Sequence, residues 1–168
     1  YQFTREDMDN YAITSLTRAN EAIKAGTLMP ETAKITISDR KKGDIEVKDD
    51  EQPFNANIEK IPSLRPAFKS DGTVTAANSS SISDGASALL LASEDAVKEQ
   101  GLTPMARIAG HATNSRDPSE FTIAPVGAIE KLLAKTSWDK SDVDLFEINE
   151  AFAMVTMANA SLISKRST

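Results

Sequence analysis

From Met105 onward the chain alternates β-like and helix-like stretches, and this alternation restricts the fold more than any other feature. Ala106 to Gly110 reads as a strand, and Pro125 opens a helix whose apolar face includes Ile129, Leu132 and Leu133. Val143 to Ile148 reads as a second strand and Ala151 to Leu162 as a final helix. Strands separated by helices of this length predict an α/β fold, with a parallel or mixed sheet covered by helices. Upstream, Ala86 to Ala92 is an apolar run holding Leu89, Leu90 and Leu91. Its length suits either a central strand or one turn of a buried helix. Ser93-Glu94-Asp95 starts a short helix that ends at Gly101, and no internal repeat is visible.

The first half carries different signals. Thr4 followed by Asp7 makes a capping box. Met8, Tyr11, Ala12, Leu16, Ala19 and Ile23 then recur at helical spacing, with Gly26 suited to the end. Ile35/Ile37 and Ile45/Val47 alternate on either side of Lys41-Lys42-Gly43-Asp44, which predicts a β-hairpin. Asp49 to Phe68, with Pro53, Pro62 and Pro66, predicts a long irregular loop of the kind that often carries function. Asp71-Gly72 reads as a turn and Thr73-Val74-Thr75 as a short strand. The serine-rich stretch Asn78 to Ser83 suits a flexible linker by composition, but the apolar run that follows at once suits a structured segment.

The chemistry available is narrow. The sequence has no cysteine, which removes disulfides, thiolate metal sites and any cysteine nucleophile. His111, the only histidine, reads as a surface or packed residue after a strand, and Trp138 as packing. Asp84-Gly85 has no second carboxylate at ligand spacing, so no metal site is expected. Glu147 and Glu150 flank a strand-to-helix junction and need not share a face. Asn149 lies where a strand ends, the place where α/β sheets gather ligands. An asparagine there can cap the next helix, or its amide can hold a water or donate to a developing oxyanion. The residues alone leave both readings open.

A formal net charge of −6 carries no nucleic-acid footprint, and Arg40-Lys41-Lys42 reads as a solvated turn. No apolar run reaches the roughly 18 residues of a membrane span. Tyr1-Gln2-Phe3 has neither an initiator Met nor a signal-peptide pattern, as expected for a stretch from inside a longer, cytoplasmic protein.

Three stretches occur in a fixed order: Thr73-Val-Thr-Ala-Ala-Asn-Ser-Ser with Asp84-Gly85-Ala86 after it, Phe121-Thr-Ile-Ala-Pro-Val-Gly-Ala, and Asn149-Glu-Ala-Phe. Leu64-Arg65-Pro66-Ala67-Phe68 stands just before the first. Together they resemble the thiolase superfamily, from about Phe3 to about Met157. The Ala-Ala-Asn and Ile-Ala-Pro variants resemble its biosynthetic, acetoacetyl-CoA-type members more than the long-chain degradative ones. The resemblance implies a layered αβαβα fold, only partly represented here. Residues 1–82 would be the CoA-facing loop domain, 83–103 the last strand and helix of the N-terminal half, and 104–168 the start of the C-terminal half.

It also implies an acyltransferase of lipid metabolism that joins two acetyl-CoA into acetoacetyl-CoA and CoA, or runs the reverse thiolysis. The CoA thioester would be substrate with no further cofactor, and the parent a homo-oligomer, dimer or tetramer. By position, Asn149 matches the residue holding the oxyanion-hole water, and Ser80 a residue lining the pantetheine channel. Phe68, Ala76, Phe121, Ala151 and Phe152 match walls of the CoA tunnel, where small and apolar side chains suit a pantetheine arm.

The sequence departs from the family in its chemistry. The family's cysteine nucleophile is expected upstream of Tyr1, and its Gly-His-Pro histidine and second cysteine downstream of Thr168. The run Asn159 to Thr168 does not follow the family's helix and strand, and Leu16 replaces a tyrosine that serves a potassium site in some members. Two functions fit: a thiolase segment inactive on its own, or a non-catalytic acyl-CoA-binding or assembly module.

Overall fold

Helix α1, Arg5–Ala25, starts and stops where local chemistry dictates. The Thr4 hydroxyl accepts from the Asp7 amide at 3.1 Å, and the Asp7 carboxylate accepts from the Thr4 amide at 2.9 Å. At the other end Gly26 takes φ 71°, a left-handed conformation that glycine adopts without strain. The computed structural model describes residues 1–83 and 85–164. Asp84 and the end of the tail, 165–168, lie outside the described residues. The chain divides into two units, Tyr1–Ser79 and Ser80–Thr168.

In the first unit α1 buries Met8 and Ala12 and packs on a 3₁₀ turn, Ile58–Ser63, whose Ile61 is also buried. The hairpin forms as expected: β1, Ile35–Asp39, pairs antiparallel with β2, Gly43–Val47. The Asp39 carboxylate accepts from the amides of Lys41 and Lys42, both at 2.8 Å, and Gly43 supplies φ 77° to close the turn. Ile35 faces Val47 and Ile37 faces Ile45, so one face of the hairpin is aliphatic.

Two expectations for this unit need correction. The stretch 49–68 is not wholly irregular, because it contains a short helix α2, Gln52–Asn55, besides the 3₁₀ turn. Thr73-Val74-Thr75 is not a strand. One backbone bond, Ala67 N–H to Val74 C=O at 2.8 Å, reaches it, and the Thr75 amide goes to a side chain instead.

The second unit contains α3, Glu94–Glu99, α4, Ala124–Thr136, and α5, Ala153–Ser164. Ser93 caps α3, and Pro125 stands in the first turn of α4, as expected. A 3₁₀ turn, Pro118–Ile123, leads into α4. α5 packs against both, burying Ala153, Val155 and Ala158.

The strands read at 86–92, 106–110 and 143–148 do not form. Among the described residues the only sheet is the β1–β2 hairpin. A strand exists through its neighbour's hydrogen bonds, and among the described residues none of these stretches has a ladder partner. Most of their apolar side chains stand in solvent, with Leu89 90% exposed, Leu90 91% and Leu145 83%, while Val143, Phe146 and Ile148 are half-buried. The alternative of a buried helix turn at 86–92 fails on the same exposure. α5 begins at Ala153, later than the Ala151 start expected from sequence. Trp138, expected to pack, is half exposed.

Candidate functional site

The first unit contributes Phe68 and Ala76. Both sit on backbone that has no helix and no ladder, and both side chains are exposed. Their positions are set from α1. Arg5 and Asp9, one helical turn apart, pair through Nε to Oδ2 at 2.7 Å. The Arg5 Nη2 donates to the carbonyls of Leu64 at 2.9 Å and Ile61 at 3.2 Å.

The other Asp9 oxygen accepts from Asn78 Nδ2 at 3.2 Å. Asn78 also donates to the Thr73 carbonyl at 3.0 Å and accepts from the Thr75 amide at 2.8 Å. This folds 73–78 into a tight turn that presents Ala76 outward.

The second unit contributes Ser80, Phe121, Asn149, Ala151 and Phe152. The Ser80 amide donates to the Ala151 carbonyl at 2.9 Å. The Phe121 and Phe152 rings meet edge to face, with centroids 6.4 Å apart. Phe121 is carried by the 3₁₀ turn that Asp117 caps through the Ser119 amide at 3.0 Å and hydroxyl at 2.7 Å. Those two bonds, the hydroxyl first, hold the Asp117 carboxyl below its usual range. Ser80, Ala151, Phe152 and Phe121 therefore come together, and the exposed Asn149 stands just before the half-buried Ala151 and Phe152.

Asn149 is four residues before the first residue of α5, so the helix-capping reading does not hold. His111 is exposed, and its carbonyl accepts from Lys135 Nζ at 3.2 Å. Among the described residues no three His, Asp or Glu side chains form a cluster able to hold a metal ion.

Arg5 and Asp9 were not singled out from sequence, and Asn78 was read only as part of the serine-rich stretch and the Ala-Ala-Asn motif. A signal was present: Asp9 sits between Met8 and Ala12 on the apolar side of α1, where an aspartate needs a partner.

Residues 1–95 match the model of the thiolase N-terminal domain, and residues 102–167 that of the thiolase C-terminal domain. The chain belongs to the thiolase family. A probable acetyl-CoA acetyltransferase of Dictyostelium discoideum is 47% identical over 97% of this chain and 39% of its own length. The crystal structure of the Bacillus anthracis acetyl-CoA acetyltransferase superposes with a TM-score of 0.86 at 42% identity, covering 98% of this chain and 42% of that one. The Acat5 thiolase of Ascaris suum, solved in complex with coenzyme A, gives 0.87 at 38% identity over 97% of this chain and 41% of its own. The chain thus spans about two-fifths of the thiolases it matches. Its layered α/β thiolase fold is represented in part.

Proposed function

We propose that this chain is the acyl-CoA-facing middle of a biosynthetic thiolase, which condenses two acetyl-CoA into acetoacetyl-CoA and CoA or runs the reverse thiolysis. The observation that carries this reading is the meeting of separate motif segments in the second unit. The Ser80 amide holds the Ala151 carbonyl, and Phe121 packs its edge against Phe152, directly beyond Asn149. Small and aromatic walls suit a pantetheine arm. An exposed asparagine amide that caps no helix is available to orient a water toward a thioester oxygen.

In this reading Asn149 stabilises charge that develops on the thioester oxygen during acyl transfer. Ser80 and the five wall residues orient the CoA arm. The nucleophile and the proton-transfer groups come from outside this sequence, which has no cysteine. The unpaired stretches 86–92, 106–110 and 143–148 are strand positions that pair with the remainder of the thiolase fold. Residues 1–82 then form the loop domain, 83–103 close the N-terminal half and 104–168 open the C-terminal half. The CoA thioester is substrate with no further cofactor, and the whole enzyme is a cytoplasmic homo-oligomer.

The absence of cysteine also suits a non-catalytic acyl-CoA-binding module. Thiolysis of acetoacetyl-CoA, followed spectrophotometrically, separates the two functions. The chain alone is expected to give no turnover above buffer, and the product of the gene with a cysteine-bearing segment before Tyr1 to give turnover. Absence of any such segment in the gene favours the binding module.

A further inference from the structure

Asp9 is a carboxylate 4% exposed, and its two oxygens serve two different loops. Through Oδ2 it fixes the Arg5 guanidinium, which holds the carbonyls of Ile61 and Leu64 and so sets the start of the segment that carries Phe68. Through Oδ1 it receives Asn78, which closes the 73–78 turn around Ala76. The Ala67–Val74 backbone bond at 2.8 Å ties the two loops together. Phe68 is 80% exposed and Ala76 is exposed, so packing fixes neither. The shape of both loops depends on this polar set.

A buried ion pair is an inefficient source of stability, since apolar residues of similar volume often do as well or better. Its advantage is geometric, because every donor and acceptor admits one arrangement. We propose that Asp9, with Arg5 and Asn78, is a positioning set that holds the Phe68 and Ala76 loops in the shape an acyl-CoA pantetheine arm requires. This rests on the acyl-CoA reading above. None of the three residues touches substrate; each acts through the backbone of the two loops.

The test uses the product of the complete gene that contains this chain, free coenzyme A as probe, and hydrogen exchange resolved at single amides at a temperature where every variant is folded. Asp9→Ala and Asn78→Ala are expected to speed amide exchange at Ala67 and Thr75 and to weaken CoA binding by about tenfold or more, as loss of a supporting shell does. Thr4→Ala, which removes only the cap of α1, is expected to lower the melting temperature and leave CoA affinity unchanged. The exchanged pair Asp9→Asn with Asn78→Asp restores a donor facing an acceptor and should recover part of the affinity.

Unchanged exchange at Ala67 and Thr75 would overturn the proposal. So would faster exchange with CoA affinity intact, which would leave the set purely structural. A complete wild-type protein that binds no CoA overturns the acyl-CoA reading and this proposal with it, and it does so before any substitution is made.

Discussion

The two units of the chain contrast in how they satisfy their own polar groups. In Tyr1–Ser79 the partners lie within the unit: a capping box, a glycine stop, a hairpin closed by Asp39, and a clamp that joins α1 to two loops far along the chain. In Ser80–Thr168 the helices are sound, but the stretches between them have no ladder. Residues 110–114 are held by side chains of α4, with Lys135 on the His111 carbonyl and Lys131 on Asn114 Oδ1 at 2.7 Å. The contrast teaches that elements with locally closed hydrogen bonds form within this sequence. Stretches of strand-like composition with no ladder partner among the described residues do not form strands.

The largest stability effect that would break this contrast is in the clamp. Arg5→Ala leaves Asp9, whose side chain is 6% exposed, facing only Asn78; because the Arg5 side chain is itself 25% exposed, the loss in urea unfolding should be about 2–3 kcal/mol, at or below the low end for a fully buried pair. A loss below ~0.5 kcal/mol would place the clamp among weak surface pairs. In the second unit a methyl group added at Gly127 would lie 2.6 Å from Asn114 Nδ2. Asn114 cannot swing away freely, because it donates to the Ala124 carbonyl at 3.0 Å and accepts from Lys131. Gly127→Ala should therefore cost about 1–3 kcal/mol through overpacking. A neutral result would show that α4 is loosely seated.

Thr4→Ala should cost about 1 kcal/mol by removing the cap. The same box predicts a pH dependence. The Thr4 hydroxyl and amide lower the Asp7 pKa, so its contribution is present above the ordinary carboxylate value and lost as pH falls through the lowered folded value. Amide protection at the start of α1 should hold from neutral pH to about 5 and fall below about 4. In Thr4→Ala that dependence should shrink. The smallest effect is expected in the unpaired region: Leu90→Lys in this chain should change stability by less than about 0.5 kcal/mol, because Leu90 is 91% exposed. A large loss there would mean that the stretch is packed after all.

What the sequence made legible follows the same line. Helix α1, the hairpin and the starts of α3 and α4 were readable because each is specified by residues within a few positions: Thr4 with Asp7, Gly26, Asp39 with Gly43, Ser93 and Pro125. The stretches 86–92, 106–110 and 143–148 have strand-like composition, but composition reports a preference for a pleated neighbour and not the neighbour itself. Asn149 was ambiguous because capping and oxyanion positioning ask for the same amide; the start of α5 at Ala153 removed the first. Motif order marked Ser80, Phe121, Ala151 and Phe152, and the structure brings them together. Asp9 was missed because its partners, Asn78 and the Arg5-bound carbonyls of Ile61 and Leu64, are distant in sequence.

Kinetics of Asn149→Ala and Asn149→Asp in the complete gene product test the proposed role of Asn149 most directly. If the amide orients the oxyanion water, Asn149→Ala should lower kcat by roughly 10²–10³ with KM nearly unchanged. Asn149→Asp, which sets a negative charge beside the developing oxyanion, should be at least as slow. Melting temperatures of both should match wild type, since α5 starts at Ala153 without Asn149. A fully active Asn149→Asp enzyme, or an Asn149→Ala enzyme that loses stability and keeps its kcat, would contradict the account.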